Sequence, residues 1–151
     1  MPSTKDQALA SERPPLSLGA LVGAELEEQA ARAYPHEACG LLVGRRREDA
    51  VEVVRAVTAR NMSARPRHGY EVPPEDWCAA YRDAARSELD IVGVWHSHPD
   101  GVAVPSRADA ESAWPEYCQL IVAASSEGAT GLRSWYLERG ALREQRVLDR
   151  R

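Results

Sequence analysis

Ile91-Val92-Gly93-Val94-Trp95-His96-Ser97-His98-Pro99 is the stretch on which the reading of the fold turns. Its first five residues are apolar on both alternating faces, which marks a central strand covered on both sides. Pro99 ends the strand, so His96 and His98 stand at its exposed carboxyl end, where open α/β sheets bind ligands. Residues two apart in a strand point to one face with Cα atoms roughly 6.5 Å apart. Two imidazoles at that spacing can converge on one cation at Zn–N distances of about 2.0 Å. A hydrogen-bonded structural pair has the same spacing, and a bare His-x-His does not choose between the two.

Upstream of this strand, Val22, Leu26, Ala30 and Ala33 recur at three- and four-residue steps from Leu18 onward, an amphipathic helix that Pro35 stops. Ala38–Gly44 and Ala50–Thr58 are apolar runs joined by the charged segment Arg45-Arg46-Arg47-Glu48-Asp49, the pattern of a hairpin with a solvated tip. Gly69–Val72 reads as a further short strand. After Pro73-Pro74, a second helix places Trp77, Tyr81, Ala84 and Ala85 on one face and ends near Glu88. Downstream, Ser106–Ala113 predicts a short helix stopped by Pro115. Cys118–Ala124, Leu132–Glu138 and Ala141–Leu148 predict three strands separated by glycines. This order predicts one α/β (α+β) domain over residues 16–151, a mixed, mostly antiparallel sheet flanked by helices. Residues 1–15 are polar and end in Pro14-Pro15, and are expected to form a flexible tail.

The chain has 151 residues, the size of a single domain, with 44% hydrophobic and 28% charged residues, close to the globular average. A net charge of −4 gives no broad positive field to gather nucleic acid or anionic lipid, so neither is an expected partner. No apolar run approaches the roughly 20 residues of a membrane span, and the N-terminus lacks the apolar core of a signal peptide. Cys39, Cys78 and Cys118 are odd in number and far apart, which suits neither a disulfide framework nor a four-cysteine metal site. A reducing cytoplasm is the expected location.

Two further elements bear on the histidines. Ser106-x-x-Asp109 resembles a helix capping box. Such a cap would also fix the Asp109 carboxylate at a rigid helix start, available as an oxygen ligand. Two histidines and a carboxylate leave the fourth tetrahedral position to water, the mark of a catalytic zinc. That chemistry needs a base, and Glu37 is a lone acid where the first helix turns into a buried strand, costly there unless paired or functional. A glutamate at an exposed helix end is the ordinary alternative.

Taken together, Pro35-x-Glu37-x-Cys39-Gly40-Leu41-Leu42-x-Gly44, His96-Ser97-His98-Pro99 and Ser106-x-x-Asp109 resemble the JAMM (MPN-plus) zinc metalloproteases. Each element of that family's Glu, His-x-His, Ser and Asp signature is present at matching spacing, and the element order from about Leu18 to Leu148 is also similar. The resemblance implies a cytidine-deaminase-like MPN fold and one zinc ion per chain held by His96, His98 and Asp109, with water as fourth ligand. It implies Glu37 as general base and Ser106 as a stabiliser of the oxyanion. Without room for a long insertion between Trp114 and Cys118, the chain is similar to the stand-alone prokaryotic members. These act on ubiquitin-like sulfur-carrier proteins, and a narrow channel beside the metal would suit a C-terminal Gly-Gly tail. The implied activity is cleavage after that tail. A non-catalytic scaffold, or a hydrolase with an unrelated small substrate, is the alternative; the oligomeric state is left open.

The remaining candidates have plainer readings. Cys39, Cys78 and Cys118 are expected to pack, and none is needed as a nucleophile. His36 adjoins Glu37 but faces the other way and is left off the metal. His68 is expected in a loop, Trp95 in the core on the face opposite His96, and Trp77, Trp114 and Trp135 as packing residues.

Overall fold

The computed structural model describes residues 13–150 of the chain. In order, these form β1 (Leu16–Gly19), α1 (Ala20–Ala33), β2 (Cys39–Arg46), β3 (Val51–Ala59), α2 (Pro74–Arg86), β4 (Asp90–His98), α3 (Arg107–Ser112), β5 (Cys118–Ser125), β6 (Gly128–Glu138), β7 (Ala141–Gln145) and β8 (Val147–Arg150). The strands make one sheet in the order β7-β6-β5-β4-β2-β3-β1-β8. It is mixed and mostly antiparallel: β4 pairs antiparallel with β2 and parallel with β5, and β1 pairs parallel with both β3 and β8. No helix among the described residues is long and apolar enough to cross a membrane.

The two helices flanking the sheet account for its doubly apolar central strand. α1 buries Leu26 and Ala30 against a cluster containing Leu42, Val92, Trp95, Leu120 and Val122. α2 buries Ala80 and Ala84 against Leu41, Val43, Ile91 and Val94 on the other face. Prolines set the limits of α2: Pro73 precedes it and Pro74 occupies its first turn, where a missing N–H costs nothing.

Several expectations need correction. The second helix buries Ala80 and Ala84 but leaves Tyr81 and Ala85 exposed, and Leu18 belongs to the strand Leu16–Gly19 rather than to the first helix. Residues 69–72 are irregular rather than a strand, because their backbone is already engaged: Gly69 C=O accepts from the Asn61 amide, Glu71 N–H donates to the Asn61 carbonyl, and Glu71 C=O accepts from Met62 N–H. The run 141–148 is not one strand but two, broken at Arg146. β7 pairs with β6 at one end of the sheet and β8 with β1 at the other, so the sheet curls until its edges approach each other. Trp114 and Cys78 do not pack, since Trp114 lies 64% exposed in the linker after α3 and Cys78 on the solvent side of α2. Of the expected tail, residues 1–12 lie outside the described part. Arg13 donates to Pro115 C=O, Pro14 C=O accepts from Gln145, and Pro15 C=O accepts from Val51 N–H.

The glycine of Cys39-Gly40-Leu41 is required by close approach. A Cβ built on Gly40 would run into the Val57 carbonyl oxygen and the Trp95 indole nitrogen, which itself donates to Val57 C=O at 3.1 Å. Backbone cannot yield as a flexible side chain can, and overpacking of this kind costs about 1–3 kcal/mol. Gly40→Ala is therefore expected to lower the thermal midpoint by roughly 4–10 °C, read by calorimetry; an unchanged midpoint would contradict the packing described here.

Candidate active site

The site is built at the carboxyl end of β4. Pleating sends Trp95 and Ser97 to the α1 face and His96 and His98 to the other. Ser97 has its own task there. Its hydroxyl accepts from Ala38 N–H at 2.8 Å and its N–H donates to Ala38 C=O at 2.9 Å, which fastens the residue after Glu37 to the residue between the histidines. Cys39 then pairs with His96 across the β2–β4 ladder.

α3 brings the carboxylate. Ser106 caps the helix reciprocally: Asp109 N–H donates to Ser106 Oγ at 3.1 Å, and Ser106 N–H donates to Asp109 Oδ2 at 2.8 Å. The same Oδ2 lies 3.2 Å from His96 Nε2 and 3.1 Å from His98 Nε2, and the two Nε2 atoms are 3.1 Å apart. The cap therefore does not compete with a ligand role for Asp109.

The donor set fits a cation. His98 Nδ1 lies 2.8 Å from Val102 C=O, which can only accept, so Nδ1 carries the proton and Nε2 of the neutral ring presents a lone pair. That edge of the ring faces a carboxylate oxygen and a second imidazole nitrogen, an arrangement that either a proton on a ring nitrogen or a cation at its centre satisfies. The three edges of 3.1–3.2 Å also match the face of a tetrahedron whose bonds are about 2.0 Å long, where edges of about 3.3 Å are expected. His96, His98 and Asp109 are all buried.

Glu37 approaches from the β2 side. It is 4% exposed, and its carboxylate falls within 4.8 Å of both histidines' ligand atoms. Burial pushes its carboxyl up to about 7, with Asp109 and Asp100 adding to the rise and His98 opposing it. Asp109 goes the other way: burial alone would raise it, but hydrogen bonds to His96 and His98 hold it well below the usual carboxylate range. Burial lowers His96, whereas for His98 it is outweighed by the hydrogen bonds to Asp109 and Val102, which raise it.

A cavity of about 420 Å³ opens beside this cluster, lined by Pro35, Glu37, Arg67, His68, His98, Pro99, Asp100 and Ser106. The sequence has no signal that places Arg67 or Asp100 there, and offers His68 as a loop residue with substrate contact as the lesser alternative. It also gives no signal for Tyr70, whose ring stacks on His96 at 4.4 Å between centroids and 22° between planes. Tyr70 lies in a segment without periodicity, so no pattern marked it. The three cysteines stay out of the cluster, with Cys39 and Cys118 buried; burial pushes the thiol of each up to about 12.

Comparison with known proteins gives the family and the fold. Residues 19–138 match the family model described as prokaryotic homologs of the JAB domain. A desampylase of Haloferax volcanii is 38% identical over 109 residues, covering 72% of this chain and 76% of that protein. A probable TtuB-protein conjugate cleaving protease of Thermus thermophilus is 32% identical over 118 residues, or 76% of this chain and 73% of that protein. The solution structure of protein DSY2949 from Desulfitobacterium hafniense superposes with a TM-score of 0.79 at 27% identity, covering 89% of this chain and 92% of that one.

The raised carboxyl of Glu37 has a thermodynamic consequence in metal-free protein. Between its ordinary value of 4.5 and about 7, the folded state keeps a proton that the unfolded chain releases. Stability is thus lost as pH rises through 7. Gln does not titrate, so Glu37→Gln is expected to gain roughly 1–3 kcal/mol on the wild type between pH 5 and pH 8. Denaturant unfolding in chelator checks this; a difference independent of pH would contradict the burial cause.

Proposed function

Because the chain belongs to the family of prokaryotic homologs of the JAB domain, we propose that it is a zinc-dependent peptidase cleaving conjugates of a ubiquitin-like protein after a C-terminal Gly-Gly. The observation that carries the reading is the triangle of His96 Nε2, His98 Nε2 and Asp109 Oδ2 with the buried Glu37 carboxylate beside it. A hydrolase of this family is supported further by relatives named for removing or cleaving such conjugates. The cytoplasm is the proposed location.

His96, His98 and Asp109 are the residues that would hold the zinc, one ion per chain. When bound, it would supply Lewis-acid chemistry, acidifying water and polarising the scissile carbonyl. Glu37 then moves the proton: its carboxylate takes one from the attacking water and hands it to the leaving amine nitrogen. Burial raises this carboxyl to about 7 in the metal-free protein, and a cation in the neighbouring triangle would oppose that rise and favour the ionised, proton-accepting form. Ser106 Oγ accepts the Asp109 N–H, which leaves its hydroxyl hydrogen free to donate into the cavity it lines. That donor suits the oxyanion that develops on the substrate carbonyl. The cavity is too small for a folded domain and large enough for a few residues of extended chain, and a Gly-Gly tail is the substrate end proposed for it.

Glu37→Gln is expected to retain zinc at one per chain and to lower turnover of a Gly-Gly carrier extended by a few residues by ~10²–10⁴-fold, followed by mass spectrometry. His98→Ala is expected to lose both metal and activity. Wild-type cleavage by the Gln variant would remove Glu37 from the mechanism, and cleavage that persists in chelator would remove the metal.

A further inference from the structure

Asn61 is half-buried at the end of β3, where the chain leaves the sheet, and no part of the proposed chemistry has used it. Its amide makes four hydrogen bonds, the full capacity of the group. Nδ2 donates to Glu37 C=O at 2.9 Å and to Gly69 C=O at 3.0 Å, while Oδ1 accepts from Ser63 N–H at 3.0 Å and Glu71 N–H at 3.1 Å. The alternative amide orientation would oppose donor to donor and acceptor to acceptor at every one of these contacts. The bond to Ser63 is an ordinary local turn, but the bond to Glu37 joins residues 24 apart in sequence.

The consequences converge on the cluster. Met62 N–H donates to Glu71 C=O, so the loop 61–71 is drawn closed at its neck where Asn61 sits. At its far side, Pro66 C=O accepts from Glu37 N–H at 2.7 Å. The peptide groups on either side of Glu37 are therefore both held by this loop, the N–H by Pro66 and the C=O by Asn61. The same loop presents Arg67 and His68 to the cavity and Tyr70 to the ring of His96.

We propose that Asn61 is a positioning residue: its amide locks the loop 61–71 onto the backbone of Glu37 and so fixes the Glu37 carboxylate and the Arg67–His68 wall relative to the His96–His98–Asp109 cluster. The inference rests on the reading of Glu37 as the proton-transfer group. Its structural half stands without that reading and can be measured without turnover.

Asn61→Asp is the discriminating variant, because it keeps an acceptor for Ser63 and Glu71 N–H while turning an oxygen toward Glu37 and Gly69 C=O. In metal-free protein, amide exchange followed by NMR is expected to accelerate at least about tenfold at Glu37, with Leu41 and Val94 in the sheet unchanged. In the zinc-loaded enzyme, kcat is expected to fall by ~10–100-fold with zinc still at one per chain. Ser63→Ala, which removes only the acceptor of Arg65 N–H within the loop, is the control expected to stay within twofold of wild type in both measurements. Should Asn61→Asp fail to fold, Asn61→Ala replaces it with the same expectations. Unchanged Glu37 exchange or wild-type kcat would overturn the proposal, as would an equal loss in Ser63→Ala. If the wild type cleaves no Gly-Gly conjugate, the functional reading fails, while the exchange data still decide the role of Asn61.

Discussion

Two hydrogen bonds between Ala38 and Ser97 hold the two halves of the site together. Glu37 arrives from the turn after α1, and the histidines arrive on β4, nearly 60 residues later in the chain. The Ser97 hydroxyl and N–H, meeting Ala38 N–H and C=O, tie the segment that carries Glu37 to the histidine strand just before the β2–β4 ladder begins at Cys39 and His96. The geometry follows from pleating. A side chain that points to the α1 face between two that point the other way is free to bind the neighbouring strand without entering the cavity. The close approach that this demands is permitted next door by Gly40, where any Cβ would meet the carbonyl of Val57.

Electrostatics explain why such a cluster is tolerable at the end of a buried strand. Two carboxylates and two imidazoles are buried together, which in a low-dielectric setting is costly unless charge is balanced. Asp109 is held ionised by two imidazoles and the Ser106 N–H, while burial keeps a proton on Glu37 up to about 7. The two acids beside the histidine pair thereby take opposite roles. A divalent cation inside the triangle would replace the missing positive charge, and metal affinity and fold stability are then coupled.

Much of this was legible in the sequence because the signals were local. His96-Ser97-His98-Pro99 states its own strand, face and terminus, and Ser106-x-x-Asp109 states its own cap. Glu37 stood out as an acid at the mouth of an apolar strand. The helices and hairpin followed from periodicity, and β4 lies between α1 and α2 as its doubly apolar pattern requires. What escaped depends on contacts between distant residues. Gly69–Val72 has strand-like residues, but Asn61 and Met62 claim its backbone first. Ala141–Leu148 reads as one run, and only the curl of the whole sheet sends its two parts, in β7 and β8, to opposite edges. The stacking of Tyr70 on His96 and the exposure of Trp114 have no periodic signature at all.

The proposed chemistry requires that His96, His98 and Asp109 form one three-ligand cation site with Glu37 outside it. A crystal structure of the zinc-loaded protein tests this most directly. One ion is expected within about 2.0–2.2 Å of His96 Nε2, His98 Nε2 and an Asp109 oxygen, with Glu37 not coordinated. Zinc bound through Glu37 in place of Asp109, or held at the cysteines, would contradict it.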